Sequence, residues 1–209
     1  MATRNGIRGY SQITADLKKM KKAPATVLKR TLSDAKKRGP AWVSAEVSKV
    51  YGIKKAEINN GAGTVKVEGD AVSSLRLRYT GRVLTPTHFS MSPKAPKDGG
   101  GAYTLKATIL KGQRTTLGKV KRNKMKNRAG NFRRENPQKS AHSPIMLMRT
   151  GSTYIPFQRK STRRSDVEAI KTVSVPQMVS NEKVAPNIAK SINENLDKRL
   201  DHYMKILEK

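Results

Sequence analysis

TVKVEGDAVSSLRLRYT, residues 64–80, is the stretch where the periodicity of the chain changes. Val65 and Val67 alternate with polar neighbours, and so do Leu75, Leu77 and Tyr79, the period-two pattern of strands with one buried face. Glu68-Gly69-Asp70 supplies a turn between them. Upstream of Thr64 the apolar residues recur at three and four instead. Tyr10, Ile13, Leu17 and Met20 predict a short amphipathic helix edged by Lys18, Lys19, Lys21 and Lys22. Pro24 then opens a second helix, where a missing N–H costs nothing, with Val27, Leu28, Leu32 and Ala35 inward to about Arg38. Gly39-Pro40 is expected to kink or end it. Trp42, Val43, Val47 and Val50 continue a helical pattern to Tyr51-Gly52, where Gly suits a C-cap.

Downstream, residues 85–101 read as a loose Pro-, Ser-, Lys- and Gly-containing stretch. Tyr103, Leu105, Ala107 and Ile109 alternate again, and a further hairpin is expected at Ile145 to Arg149 and Tyr154 to Arg159, joined through Thr150-Gly151-Ser152. Val184, Ile188, Ile192, Leu196, Leu200, Tyr203 and Leu207 then recur every three or four residues, with Pro186 in the first turn. This helix is expected to pack, against the chain or a neighbour, through Ile188, Ile192, Leu196 and Leu200. The expected class is α+β, with N-terminal helices and a long C-terminal helix packed on a small antiparallel sheet. Residues 1–60 form the helical region, 61–110 and 141–176 the strand region, 111–140 a mobile basic loop and 177–209 the C-terminal helix, all in one structural domain.

Charge constrains function more tightly than any motif. Lys and Arg number 44 against 15 Asp and Glu in 209 residues, a formal net charge of +29. Self-repulsion of that size opposes compaction unless polyanions or acidic partners neutralise it. Leu, Ile, Val and Phe make up about one fifth of the chain, at the edge of the composition that folds unaided, so the core must be small or completed by neighbouring subunits. Cysteine is absent, which removes disulfides and thiolate metal sites. Residues 1–22 lack the apolar stretch of a signal peptide. The longest clear apolar run, Ile145 to Met148, is far below the roughly 20 residues that span a bilayer. Cytosol-like conditions and no membrane partner are expected.

Between Lys111 and Ser140 basic residues outnumber acids overwhelmingly, Glu135 being the one carboxylate. Lys119, Lys121, Arg122, Lys124, Lys126, Arg128, Arg133 and Arg134 are the candidate contacts, with Phe132 able to stack on a base. Phosphate contact needs only charge, so DNA and an acidic protein surface fit equally. No helix-turn-helix or zinc pattern suggests sequence-specific reading. His88, His142 and His202 lack ligand spacing. Gly99-Gly100-Gly101 is not followed by the Lys-Ser/Thr and helix of a phosphate loop, and no serine lies in a Gly-x-Ser-x-Gly elbow. No catalytic, cofactor or metal site is expected, and the chain reads as a non-enzyme.

The order of segments, a basic helical half, a strand region beginning Val65-Lys66-Val67, a Gly- and Lys-rich basic loop, a hairpin and a terminal helix, resembles the prophage minor tail protein Z family. Thr172-Val173-Ser174-Val175-Pro176-Gln177-Met178-Val179 looks like the turn leading into the last helix of many phage neck and tail-completion proteins. Phe157-Gln158-Arg159-Lys160 looks like the family's preceding strand. Ser161 to Ala169 departs from the pattern, being charged and without a Pro beside Ile170. The resemblance implies a virion protein assembled in the host cytoplasm and located in the tail neck. It would form a homo-oligomeric ring of six subunits at the head-proximal end of the tail. It would help head-tail joining and DNA positioning or passage, with the tail terminator, the head-completion or adaptor proteins and the end of the packaged DNA as neighbours. The alternative is an RNA- or DNA-binding protein resembling a ribosomal protein, in which the charge serves a phosphate backbone directly. A hydrolase of polyanions lacks an acid, base or metal set.

Overall fold

A proline at the first helical position and a seam of small residues every four positions shape the longest helix. In the computed structural model, which describes residues 24–96, 102–120, 145–160 and 166–208, helix α1 runs unbroken over Pro24–Val50. Val27, Thr31, Ala35, Gly39, Val43 and Val47 are buried along one face, while Leu28 and Leu32 pack half-buried at its edge. Of the two expected outcomes at Gly39-Pro40, the helix does not stop there. A proline in a helix interior costs about 3 kcal/mol, and tertiary contacts hold the helix together there. Both methyls of Leu77 lie 3.4 Å from where a Cβ of residue 39 would be. Asn59 Nδ2 donates to the Pro40 carbonyl at 3.2 Å. Nor does Gly52 serve as a helix cap. Its N–H donates to the Ile109 carbonyl at 2.9 Å, and Lys111 N–H donates to Val50 O at 2.8 Å, so the helix ends where the chain is captured into pairing with residues 109–111.

The second long helix, α4 (Ala185–Glu208), is preceded by the one-turn helix α3 (Val175–Val179) where sequence suggested a turn. Asn181 caps its start: the side-chain oxygen accepts from Lys183 N–H at 3.0 Å, and the Asn181 carbonyl accepts from Ala185 N–H at 2.8 Å. Ile188, Leu196 and Leu200 are buried, and Ile192 packs beside them. Val27 meets Leu200, and Ala35 meets Leu196, so α1 and α4 run antiparallel. Tyr203 Oη donates to Asp34 Oδ2 at 2.9 Å, and Arg199 Nη1 stands 3.6 Å from the same oxygen. That hydrogen bond, with burial behind it, pushes the Tyr203 phenol up.

The short helix α2 (Lys55–Asn60) leads into the hairpin of β1 (Thr64–Glu68) and β2 (Arg76–Thr80), paired antiparallel from Thr64↔Thr80 to Glu68↔Arg76. Val65, Val67, Leu77 and Tyr79 turn inward as their alternation requires. Ile58 of α2 and Val175 and Met178 of α3 are fully buried where those helices pack on the hairpin. Burial raises the Tyr79 phenol to about 12.

The remaining strands form two three-stranded antiparallel sheets. One has the order β3 (Ser90–Ser92), β4 (Tyr103–Thr108), β5 (Thr115–Val120); the other has the order β6 (Ile145–Thr150), β7 (Thr153–Arg159), β8 (Val167–Ala169). Met91, Leu105, Val120 and Ile145 form their shared core, with Tyr103, Leu117, Leu147 and Ile170 against it. Gly118, at φ +146°, lies where a Cβ would stand 2.7 Å from Ile145 Cδ1, so the crossing of β5 over β6 requires glycine. Gly151, at φ +61°, turns the β6–β7 hairpin.

The α+β class and the long terminal helix stand as expected. Three small sheets replace one, and the chain divides into two compact units. The first holds, of the described residues, 24–49, 55–81 and 175–208; the second holds 50–54 and 82–174. Thr115–Val120 is a strand and not part of a loop: pairing with β4 satisfies its backbone, and Leu117 and Val120 supply the apolar contacts. The expected loop from 121 to 140 lies outside the described residues, as does the expected helix around Tyr10 to Met20. In the stretch read as loose, Pro86, Phe89 and Met91 are buried and Ser90–Ser92 is a strand.

Candidate polyanion interface

The two units carry charge very differently. In the first, basic and acidic side chains are interspersed. The outer side of α4 alternates Lys190, Glu194, Lys198, Asp201 and Lys205, with Lys190 and Glu194 at 4.0 Å. The outer side of α1 is one-signed over two turns, with Lys29, Arg30, Lys37 and Arg38 exposed. On the solvent face of the hairpin Lys66 stands directly opposite Arg78, while Glu68 faces Arg76. A like-charge pair in direct cross-strand opposition is destabilising in the absence of an anion.

In the second unit the imbalance is close to complete. Its basic residues among those described are Lys54, Arg82, Lys94, Lys106, Lys111, Arg114, Lys119, Arg149, Arg159, Lys160 and Lys171, and its acids are Asp166 and Glu168. Both acids lie at one edge. Glu168 forms ion pairs with Lys160 and, at 2.5 Å, with Lys171. Hydrogen bonds from Lys160 and then Lys171 hold its carboxyl down to about 2, and Lys160 is raised in return. The Asp166 backbone carbonyl accepts the Lys160 N–H at 3.0 Å. Away from the β8 edge the described part of this unit is free of carboxylate.

The face of β3–β4–β5 turned away from the core collects hydroxyls and lysines. Register places Ser92, Lys106 and Thr116 in one row across the three strands, Thr104 opposite Lys119 in the next, and Ser90 opposite Thr108 at the end. Ser90, Ser92, Lys106, Thr116 and Lys119 are exposed. Lys111 and Arg114 stand exposed in the connection that joins β4 to β5. The opposite side chains, Met91, Leu105, Ala107 and Val120, are buried, so the sheet cannot flip its polar face inward.

Of the cations singled out by sequence, Lys119 therefore has a defined place, at the end of β5 on this face. Lys121, Arg122, Lys124, Lys126, Arg128, Arg133 and Arg134, with Phe132, lie outside the described residues. Sequence reasoning passed over Lys106 and the serines and threonines beside it. The alternation of Tyr103, Leu105 and Ala107 already turned Lys106 outward, but nothing in one strand reveals which hydroxyls a neighbouring strand brings alongside.

The sheet β6–β7–β8 presents a surface of another kind. Ile145, Leu147 and Pro156 face the core, so their alternates Met146, Met148, Ile155 and Phe157 share the other face, joined by Val167 and Ala169 of β8. Met148 is 42% exposed, and the other five are half-buried.

No group of three or more His, Asp or Glu side chains suited to a metal ion occurs among the described residues. His202 packs edge-on against Tyr203 at 5.3 Å, His88 is half-buried, and His142 lies outside the described residues. No described helix is long and apolar enough to cross a membrane. Compared with protein-family models, with curated proteins and with solved structures, the chain matches none.

Proposed function

We propose that the chain is a structural component of a phage virion, of the neck or tail-completion type, acting without catalysis. In this reading it forms a ring at the head-proximal end of the tail, with six subunits matching the symmetry of tail rings. It contacts the tail terminator and the head-completion or adaptor proteins, and it helps the head join and the DNA pass. The observation that carries an assembly role is the apolar face of β6–β7–β8. Six adjacent aliphatic, thioether and aromatic side chains, Met148 exposed and the other five half-buried, form an apolar patch of the kind that marks a protein–protein contact, and a neighbouring subunit or ring would cover it. The net charge of +29 supports a second contact, with DNA or with acidic faces of adjoining rings, because close approach to such partners is what makes the charge tolerable. The order of segments and the run Thr172 to Val179 supply the resemblance that supports a tail-neck location in this reading.

A genetic deletion tests the reading directly. Particles made without the chain should have tails of normal length and should join heads poorly or fail to deliver DNA; fully infectious particles from the deletion would refute it. The ribosomal-type reading is favoured by the scarcity of acids among the described residues of the second unit. Sedimentation separates the two: a neck protein forms rings or associates with other tail proteins, whereas a ribosome-like protein binds RNA as a monomer with steep salt dependence.

A further inference from the structure

We infer that the outer face of β3–β4–β5 is a binding surface for the phosphodiester backbone of a nucleic-acid duplex, read without regard to sequence. The inference stands independently of any place in a virion, since it concerns what the isolated chain binds.

Three features of the face select this ligand. It mixes two kinds of phosphate donor in adjacent rows: Lys106 lies between Ser92 and Thr116, and Lys119 lies beside Thr104. Hydroxyls and lysines are the side chains that contact phosphate and sugar in protein–DNA interfaces, where they position the protein without reading bases. Among the described residues no carboxylate stands on this face, because Asp166 and Glu168, the described acids of this unit, belong to the other sheet, where Glu168 is held by Lys160 and Lys171. No aromatic side chain stands in these rows, so the face offers no platform on which unpaired bases could stack. A duplex keeps its bases inside and presents phosphates, which is what such a surface can bind. The core side of the same strands, Leu105, Ala107 and Val120, is packed, which fixes the lysines and hydroxyls on one side of a rigid sheet instead of on a freely moving arm.

With Lys111 and Arg114 at the β4–β5 connection, four cations fall along this element. Neutralising about four phosphates gives a slope near −3.6 for log affinity against log salt. Lys106 and Lys119 account for about half of it, equivalent to roughly a twelve-fold difference in affinity loss between 50 and 200 mM salt.

The test uses the full chain and fluorescence anisotropy with three probes of equal length: duplex DNA, duplex RNA and single-stranded DNA. The double variant K106A/K119A should lower the duplex salt slope by about 1.8, while K37A/R38A on α1, an equal change of charge, should leave it unaltered. The charge-neutral variant S92A/T116V should weaken duplex binding several-fold with no change of slope, the signature of lost hydrogen bonds to phosphate. Comparison of the two duplexes identifies which nucleic acid is preferred, and tighter binding of either than of the single strand supports the assignment. Equal losses from the sheet and α1 variants, no effect of the hydroxyl variant, or equal protection by a polyglutamate peptide of matched charge would overturn it. Circular dichroism of each variant confirms that the sheet has formed. Loss of this binding in a chain that still assembles into particles would leave the virion reading intact, and the converse result would leave this one intact.

Discussion

Thr31 is fully buried on the inner seam of α1, and its hydroxyl has no hydrogen-bond partner. A buried, unpaired hydroxyl costs about 1–3 kcal/mol, and valine replaces it with a methyl of nearly the same size. Thr31→Val should therefore stabilise the protein by about 1 kcal/mol, visible as a higher midpoint in urea denaturation. An unchanged or lower midpoint would mean that the hydroxyl finds a partner in solution. Asp197 presents the charged version of the same conflict. One of its carboxylate oxygens is buried and unpaired, and burial, with the charge of Asp201 one turn away, raises its carboxyl. Such single-atom conflicts leave no trace in hydrophobic periodicity, because Thr31 and Asp197 occupy positions at which a polar residue breaks no rule until the partner surface is known.

Helix α4 shows what periodicity does capture. Its apolar stripe sits at helical spacing over six turns, so its existence, its inward face and its four expected packing residues were legible from the sequence. Burial is uneven along that stripe: Leu196 is 3% exposed, whereas Ile192 is half-buried at the edge of the same cluster. Leu196→Ala should accordingly cost about 2–5 kcal/mol and Ile192→Ala distinctly less, measured by chemical denaturation of the two variants side by side. Equal losses would show that a neighbouring copy buries Ile192. Strand β5 illustrates the opposite case. Thr115–Val120 has little alternation of its own and a glycine in its middle, and it becomes a strand because β4 offers a ladder and the bare backbone of Gly118 fits under Ile145, where a side chain would not. Information of that kind resides in the partner element, as it does for Ser90–Ser92. The candidate interface was legible to the same degree: charge pointed to Lys119, while the row of hydroxyls needed the register.

Charge segregation acts on the whole molecule. The second unit has eleven basic residues against two acids among those described, and much of that repulsion is solvent-exposed and open to screening. The Debye length falls from about 10 Å at 0.1 M salt to about 3 Å at 1 M. The thermal midpoint should rise over that range of sodium chloride, measured by calorimetry on the protein without ligand. A midpoint that falls would show that favourable ion pairs, such as those at Glu168, outweigh the repulsion. The division into units also sets an order in time. The chain leaves the first unit at residue 50, and again at 82, and returns for good at Val175. Val27 and Ala35 of α1 meet Leu200 and Leu196 of α4, residues made about 160 to 175 positions later. At roughly 5–20 residues per second of synthesis, the part of the α1 seam that meets α4, around Val27, stays without that cover on the ribosome for on the order of 10 s. The second unit, whose residues emerge as a nearly unbroken block, can close during that wait. A ribosome that stalls before α4 thus releases a chain with one finished unit and one exposed helix, which makes early termination a hazard for aggregation and a natural substrate for chaperones.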